Sequence, residues 1–174
     1  MGIIFFVKRS DTMEKIINVA QYVFTAYKKI SGETIDEMKL QKLLYFAQRE
    51  SFAITNEPLF EGDFEGWIYG PICKELRKSI TEDGIIDFDS DVSDECKYII
   101  NNIILEYGSL ASWKLSDLSH KEISWLNSRK GLEPNQHGNV KLELEDIRED
   151  SKKVRPYDHI WDMYYDEFED ADIV

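Results

Sequence analysis

The sequence has few of the residues that bind metals or cross-link secreted domains. Its two cysteines are Cys73 and Cys96, and its three histidines, His120, His137 and His159, lie far apart. No CxxC, HxxxH or HExxH spacing occurs, so we expect no metal site and no bound cofactor. Two cysteines are also too few for a disulfide-stapled secreted domain, and we expect a cytoplasmic protein in a reducing compartment.

Long apolar runs are absent as well. The apolar run at residues 2–7 is too short to cross a bilayer, and Lys8 and Arg9 follow it, whereas a secretory signal carries its basic residues first. We therefore expect no membrane span. Residues 1–12 are interpreted as an N-terminal extension upstream of a natural start at Met13, or alternatively as a short edge strand.

Positive charge is scarce. The 174 residues include 34 acidic and 21 basic side chains, which gives a formal net charge of −13. This excess repels phosphate groups, and we find no helix-turn-helix with a basic recognition helix, so we expect neither nucleic-acid nor membrane binding. The acidity is concentrated at the end of the chain, where residues 155–174 hold seven acids and one base.

Helical periodicity dominates the remaining sequence. Apolar residues at spacings of three and four predict a helix over 14–29, which Gly32 ends. Thr34 and Glu37 form a T-x-x-E capping box at the start of a second helix, whose apolar face is set by leucines. Three basic residues fall on another face of this second helix, where we expect them to be solvated: Lys39, Lys42 and Arg49.

A small β element follows. Residues 59–69 alternate large apolar and polar side chains, which is typical of a strand or hairpin. Pro71, directly after Gly70, has a missing N–H and a fixed φ that suit a first helical turn, so we expect a short helix over 71–80. Residues 140–144 alternate again and predict either a brief strand or the start of a last helix.

The longest later helix is expected over 94–107, capped by Ser93 or Asp94 and ended by Gly108 in the left-handed conformation. The fold class is therefore mainly α (α+β), a single compact helical domain with a small β-hairpin element.

Three segments, in order, carry a family resemblance. Residues 38–48 read MKLQKLLYFAQ, residues 64–72 read FEGWIYGPI, and residues 115–120 read LSDLSH, followed by Trp125. This ordered trio resembles the Panacea domain of the SocA-like antitoxin family of bacteria and phages. One departure is Ile123-Ser124, at a place where that family commonly has a proline before the tryptophan.

The resemblance assigns residues 13–154 to a Panacea domain and implies an antitoxin that neutralises a cognate protein toxin by direct binding. The family's toxins include small alarmone synthetases and other translation inhibitors. Some relatives are implied to deliver a partner to a Clp-type protease. A phage or mobile-element interaction protein, or such a proteolytic adaptor, is the alternative function.

The residues themselves offer little for catalysis. Asp117, Ser119 and His120 lie within four positions, and a short helix directs neighbouring side chains apart, so we expect no catalytic triad. We interpret Cys73 as a small buried apolar residue and His120 as a partly buried, hydrogen-bonded neighbour of Trp125. We therefore predict that the protein is not an enzyme.

The C-terminal segment, residues 155–174, is acidic and aromatic, and its apolar residues follow helical spacing. This predicted helix has two alternative roles: it is a last helix docked on the domain's own core, or it is an anchor that binds the toxin. The second reading assigns partner binding to seven residues: Tyr157, Asp158, Trp161, Asp162, Tyr164, Tyr165 and Phe168.

Overall fold

The computed structural model describes residues 13–154, and the predictions made for residues 1–12 and 155–174 lie outside this range. The described chain contains seven helices and six very short strands, which confirms the mainly α fold class. In chain order the elements are β1 (Glu14–Lys15), α1 (Ile16–Ser31), α2 (Glu37–Thr55), β2 (Phe60–Glu61), β3 (Glu65–Trp67), β4 (Gly70–Ile72), α3 (Lys74–Arg77), β5 (Ile80–Thr81), β6 (Gly84–Ile85), α4 (Asp94–Tyr107), α5 (Ser112–Ser119), α6 (Ile123–Ser128) and α7 (Leu144–Ser151).

Helix α2 lies at the centre of the domain. Helices α1, α4, α5 and α7 and strand β4 all pack against it. Every residue from Lys39 to Phe52 is buried, whichever side of the helix it occupies. The hydrophobic core therefore surrounds α2, and elements distant in sequence are held to one another through this helix.

The strands form three separate two-stranded sheets. β1 and β2 are parallel, with Glu14 opposite Phe60. β3 and β4 form the predicted hairpin, with Trp67 opposite Gly70, and β5 and β6 form a second antiparallel pair. The brief strand considered at 140–144 is reduced to a single bridge between Glu65 and Lys141 beside the hairpin, and α7 follows it.

The prediction of a helix over residues 71–80 is wrong. Gly70 and Pro71 belong to strand β4, and only the four residues of α3 are helical in this region. A proline that lacks an N–H and has a fixed φ suits a strand position as well as a first helical turn, because neither requires that donor. The Gly-Pro pair therefore marks the end of a hairpin turn.

Two helix ends also differ from the predictions. Asp36 caps α2 in place of Thr34, and its Oδ1 accepts a hydrogen bond from the Lys39 amide at 2.9 Å. Gly108 is right-handed, with φ −62°. Close packing explains why glycine occurs at this position, because a Cβ there would lie 2.4 Å from the Ile104 carbonyl oxygen. Ser93 caps α4 through the Cys96 amide, as one of the two alternatives predicted.

No helix within residues 13–154 combines the length and the apolar character that a membrane crossing requires.

Candidate functional site

Three basic residues of α2, Lys39, Lys42 and Arg49, are buried, so the expectation that they form a solvated face is wrong. Lys42 is fully buried, and its Nζ donates to the Pro71 carbonyl oxygen at 3.1 Å. Burial lowers the pKa of Lys42 to about 7, and the nearby Asp36 and Glu37 carboxylates only partly oppose this shift. Lys39 donates to the Gly108 carbonyl oxygen at 2.8 Å.

Two glutamines of α2 also bind backbone groups, at the end of β4 and at the start of β2. The Gln41 side chain accepts from the Cys73 amide at 2.9 Å and donates to the Cys73 carbonyl at 3.1 Å. Gln48 accepts from the Leu59 amide at 2.8 Å and donates to the Phe60 carbonyl at 3.1 Å. Each primary amide thus pairs with a main chain as a neighbouring strand would, because it carries both an acceptor and a donor.

Gly70 makes the close approach of hairpin and helix possible. Its φ is +107°, and a Cβ there would lie 2.5 Å from Lys42 Cε and 2.3 Å from Ser119 Oγ. Both the backbone conformation and the available space therefore require glycine at this position. The lysine of α2 and the Gly-Pro pair of the hairpin are two parts of one contact.

A buried ion pair joins α2 to the residue before α6. Arg49 Nη1 lies 2.8 Å from Glu122 Oε1, with both side chains almost fully buried, and Arg49 also donates to the Tyr107 hydroxyl at 2.9 Å. Burial raises the pKa of Glu122, and Arg49 opposes that rise. Lys153, which follows α7, reaches the same carboxylate oxygen at 2.7 Å.

Asp150 of α7 performs the capping that α6 lacks from its own residues. Its carboxylate accepts from the Ile123 amide at 2.7 Å and the Ser124 amide at 2.9 Å, and from the Tyr45 hydroxyl at 3.2 Å. Burial raises the pKa of Tyr45 well above its ordinary value, and the Glu122 and Asp150 carboxylates add to that rise. A proline in place of Ser124 would remove one of the two amides that Asp150 caps.

A groove of about 460 Å³ lies between the start of α2, the β3–β4 hairpin and α3. Its walls are mostly apolar and aromatic, and they include Trp67 and Tyr69, of which Tyr69 is 64% exposed. Arg77 forms an ion pair with Glu37 at 2.7 Å and places its guanidinium 5.1 Å from the centre of the Trp67 ring. The complete lining is Glu37, Met38, Lys42, Trp67, Ile68, Tyr69, Ile72, Arg77 and His137.

Helix α5 contacts the segment before α2 and the hairpin, and it carries an exposed aromatic residue of its own. Ser112 donates to Asp36 Oδ2 at 2.6 Å, and Ser116 donates to the Tyr69 carbonyl oxygen at 2.8 Å. Trp113, which is 65% exposed, lies on the same helical face as Ser116, three positions earlier. The apolar and aromatic walls of the groove form a surface that can hold the apolar side chains of another segment.

The comparisons with known proteins bear on this arrangement. A sequence model of the family described as "Antitoxin SocA-like, Panacea domain" matches residues 40–126, which are half of the chain. The chain belongs to the SocA-like antitoxin family. No curated protein and no solved structure matches it.

The Panacea match begins in α2 and ends in α6, so it contains Lys42, Gly70, Arg49 and Glu122. Their contacts connect the three motifs physically, since α2 binds the hairpin through Lys42 and reaches the α5–α6 junction through Arg49. Asp150 lies beyond the match, but it packs against α2 and α6 within the matched part. Helix α7 therefore packs directly on the matched region, although the match itself ends at residue 126.

The candidate catalytic residues occupy structural positions. Cys73 is fully buried, and burial raises the pKa of its thiol, which disfavours the reactive thiolate. His120 stacks on Trp125 with ring centroids 4.2 Å apart, and burial lowers its pKa against the effect of a hydrogen bond with the Ile68 backbone. Ser119 donates to the Ser116 carbonyl oxygen at 2.7 Å. Over residues 13–154, no cluster of three or more His, Cys, Asp or Glu could hold a metal ion.

The seven residues predicted to bind the partner all lie outside the described residues: Tyr157, Asp158, Trp161, Asp162, Tyr164, Tyr165 and Phe168. Sequence reasoning missed the groove and the buried roles of Gln48, Lys42 and Arg49. The available signal was the number of large polar side chains on α2, a helix that is too polar for a core element unless other elements supply hydrogen-bond partners.

Proposed function

We propose that this protein is the antitoxin of a toxin–antitoxin pair and that it neutralises a cognate protein toxin by direct binding. The observation that carries the proposal is the family match over residues 40–126. The same match favours a non-enzymatic role. Cys73 and Ser119 are buried, and His120 is partly buried and stacked on Trp125, which agrees with that role.

We assign toxin contact to the C-terminal segment. Its aromatic residues at helical spacing supply large contact areas at a low entropic cost, and its net charge of −6 favours encounter with a basic surface. A toxin that binds nucleotide phosphates or RNA, such as a small alarmone synthetase or another translation inhibitor, presents such a surface in its active site. Acidic side chains would occupy that site in place of phosphate.

Removal of the segment tests this assignment. The chain is cut after Val154, which keeps the Lys153–Glu122 ion pair and all of α7. We expect this protein to remain folded, as measured by circular dichroism and thermal melting, and to lose rescue of cells that express the toxin encoded beside it. Full rescue by the shortened protein would contradict the role of the segment.

Point variants refine the test. Trp161→Ala and Tyr164→Ala should each weaken the purified toxin complex by about 2 kcal/mol, or roughly thirtyfold in Kd, if these rings are central to the interface. Unchanged affinity combined with a lower melting temperature would instead assign the rings to the fold. Toxin levels measured with and without Clp-type proteases separate direct neutralisation from proteolytic delivery, since only delivery makes the toxin disappear.

A further inference from the structure

Helix α6 carries apolar side chains on the side that faces away from the domain. Ile123 and Leu126 are 48% and 50% exposed, and their spacing of three places them on one face of the helix. The inward side of α6 holds Ser124 and Ser128, which are buried and whose hydroxyl groups are hydrogen-bonded within the domain. A surface helix normally has the reverse arrangement, with its apolar side turned inward. The outer face of α6, defined by Ile123 and Leu126, therefore has the composition of a contact surface.

The chain that leaves the described domain starts beside this face. Lys153 binds Glu122, the residue directly before Ile123, at 2.7 Å. Asp150 accepts a hydrogen bond from the Ile123 amide at 2.7 Å. The end of α7 is thus held against the first turn of α6, and residues 155–174 continue from that point.

The length of the chain restricts where the first residues of the C-terminal segment can lie. Residue 160 is six positions beyond Val154, so it lies within about 20 Å of Val154 in an extended chain and within about 9 Å in a helix. The exposed apolar residue of α7, Leu144, lies at the far end of that helix, and the other exposed side chains from there to its C-cap are charged: Glu145, Glu149 and Lys152. Of the two helices that meet at the start of the segment, α6 thus offers the apolar surface.

The direction of the chain also favours the outer face of α6. Asn127 binds Asp146 and the Ile123 amide binds Asp150, so α6 and α7 run antiparallel. Residues 152–156 separate α7 from the aromatic part of the segment, and connections of about two to five residues join antiparallel neighbouring helices. A helix that turns back after this connection starts beside Ile123 and runs in the same direction as α6.

We propose that the first turn of the C-terminal segment packs on the outer face of α6. Tyr157 and Ile160 supply the contacts, because their spacing of three matches that of the two exposed residues on α6. Helix α6 has six residues and is about 9 Å long, so it covers fewer than two turns of the segment. Residues 164–168 then lie beyond the end of α6.

This arrangement divides the segment between the domain and the toxin. The first turn is a fixed base, and the aromatic residues beyond α6 are available to the toxin: Tyr164, Tyr165 and Phe168. This second part rests on the proposed function. A segment that is already oriented loses less conformational freedom when its partner binds, which favours the complex.

Disulfide trapping in the full chain tests the docking without a toxin. Leu126→Cys is combined with Ile160→Cys in one protein and with Asp162→Cys in another, since Asp162 has a similar reach but lies on the other side of the predicted helix. The native Cys73 and Cys96 are fully buried. During mild oxidation at low micromolar concentration, we expect the first pair to form an intrachain disulfide several-fold faster than the second, at a rate that does not change on tenfold dilution. Equal rates, no disulfide, or disulfides between copies would each overturn the proposal.

Proteolysis checks the same contact with the side chains of the segment intact. Chymotrypsin cleaves after exposed aromatic residues, so docking should protect the bond after Tyr157 more than the bond after Tyr164. Leu126→Asp should raise the rate of cleavage after Tyr157 several-fold, as followed by mass spectrometry, because it places a charge in an apolar contact. Phe88→Asp is the matched control, since Phe88 is 49% exposed and lies in the loop that binds the start of α1. Equal cleavage rates in both variants would overturn the proposal.

Toxin binding separates this proposal from the proposed function. Leu126→Asp should weaken the purified toxin complex several-fold, because the released segment must then be ordered on binding, whereas Phe88→Asp should leave the affinity unchanged. A tighter complex with Leu126→Asp would show that docking competes with the toxin, and the division of the segment would be wrong. If the disulfide between positions 126 and 160 forms and no toxin binds, the docking stands and the proposed function fails. If the toxin binds and the two cysteine pairs react at equal rates, the docking fails and the proposed function stands.

Discussion

Replacement of Gly70 by alanine would test the contact between the motif on α2 and the motif of the β3–β4 hairpin. The substitution forces a side chain into a backbone with φ +107°, which costs about 1 to 2 kcal/mol for a residue with a Cβ. The new Cβ would also overlap Lys42 Cε and Ser119 Oγ, so both groups must move away from their positions. Movement of Lys42 weakens the hydrogen bond of a buried amine to Pro71, which adds about 1 to 2 kcal/mol. The total loss of unfolding free energy should be roughly 3 kcal/mol.

Gly131→Ala is the matched control for this experiment. Gly131 also has a positive φ, +84°, but a Cβ there meets no atom within 4 Å. It should therefore lose only the conformational part, about 1 to 2 kcal/mol. Urea unfolding of both variants, followed by circular dichroism, measures the difference. Equal losses would show that the approach of the hairpin to Lys42 imposes no steric requirement, and the reasoning would be refuted.

Three further predictions concern buried charges. As the pH rises above 7, the unfolding free energy of the wild type should increase relative to that of Lys42→Met by about 1.4 kcal/mol per pH unit. The reason is that the unfolded chain then binds one more proton than the folded chain. A difference between the two proteins that stays constant in urea unfolding at pH 7, 8 and 9 would contradict this. Burial, with the charge of Glu106, raises the pKa of Glu50 to about 7. As the pH rises from 4.5 to 7, the unfolding free energy of the wild type should therefore fall by a similar amount per pH unit relative to that of Glu50→Gln, as measured by urea unfolding in that range. Asp150→Ala should cost about 3 kcal/mol in thermal unfolding, because it leaves the Ile123 and Ser124 amides without their acceptor and removes one partner of the Tyr45 hydroxyl, whereas the exposed Glu149→Ala should cost less than about 0.5 kcal/mol.

The sequence was informative where local interactions decide the structure. Helix α4 is predicted within its bounds because its apolar spacing, its Ser93 cap and its terminal glycine all depend on residues a few positions apart. The hairpin was found from its alternation and its aromatic residues. Gly108 shows the limit of this reasoning, because a glycine at a helix end can be needed either for a left-handed backbone or for the absence of a side chain in a tight contact.

The polar face of α2 could not be predicted in this way. Lys42 and Gln48 have their hydrogen-bond partners 29 and 12 residues away, on backbone groups that any sequence possesses. Periodicity describes which side chains avoid water, but it does not show which polar side chains another segment will satisfy. The groove was missed for the same reason, since its walls come from α2, the hairpin, α3 and the loop with His137.

The Asp150 contact has a mechanical consequence for whatever handles the end of the chain. The C-terminal segment starts five residues after a carboxylate that is tied to the first turn of α6 and to a tyrosine at the centre of the domain. A pulling force applied to that end, by a toxin or by an unfolding machine, therefore meets a firm attachment before it can peel away any outer element.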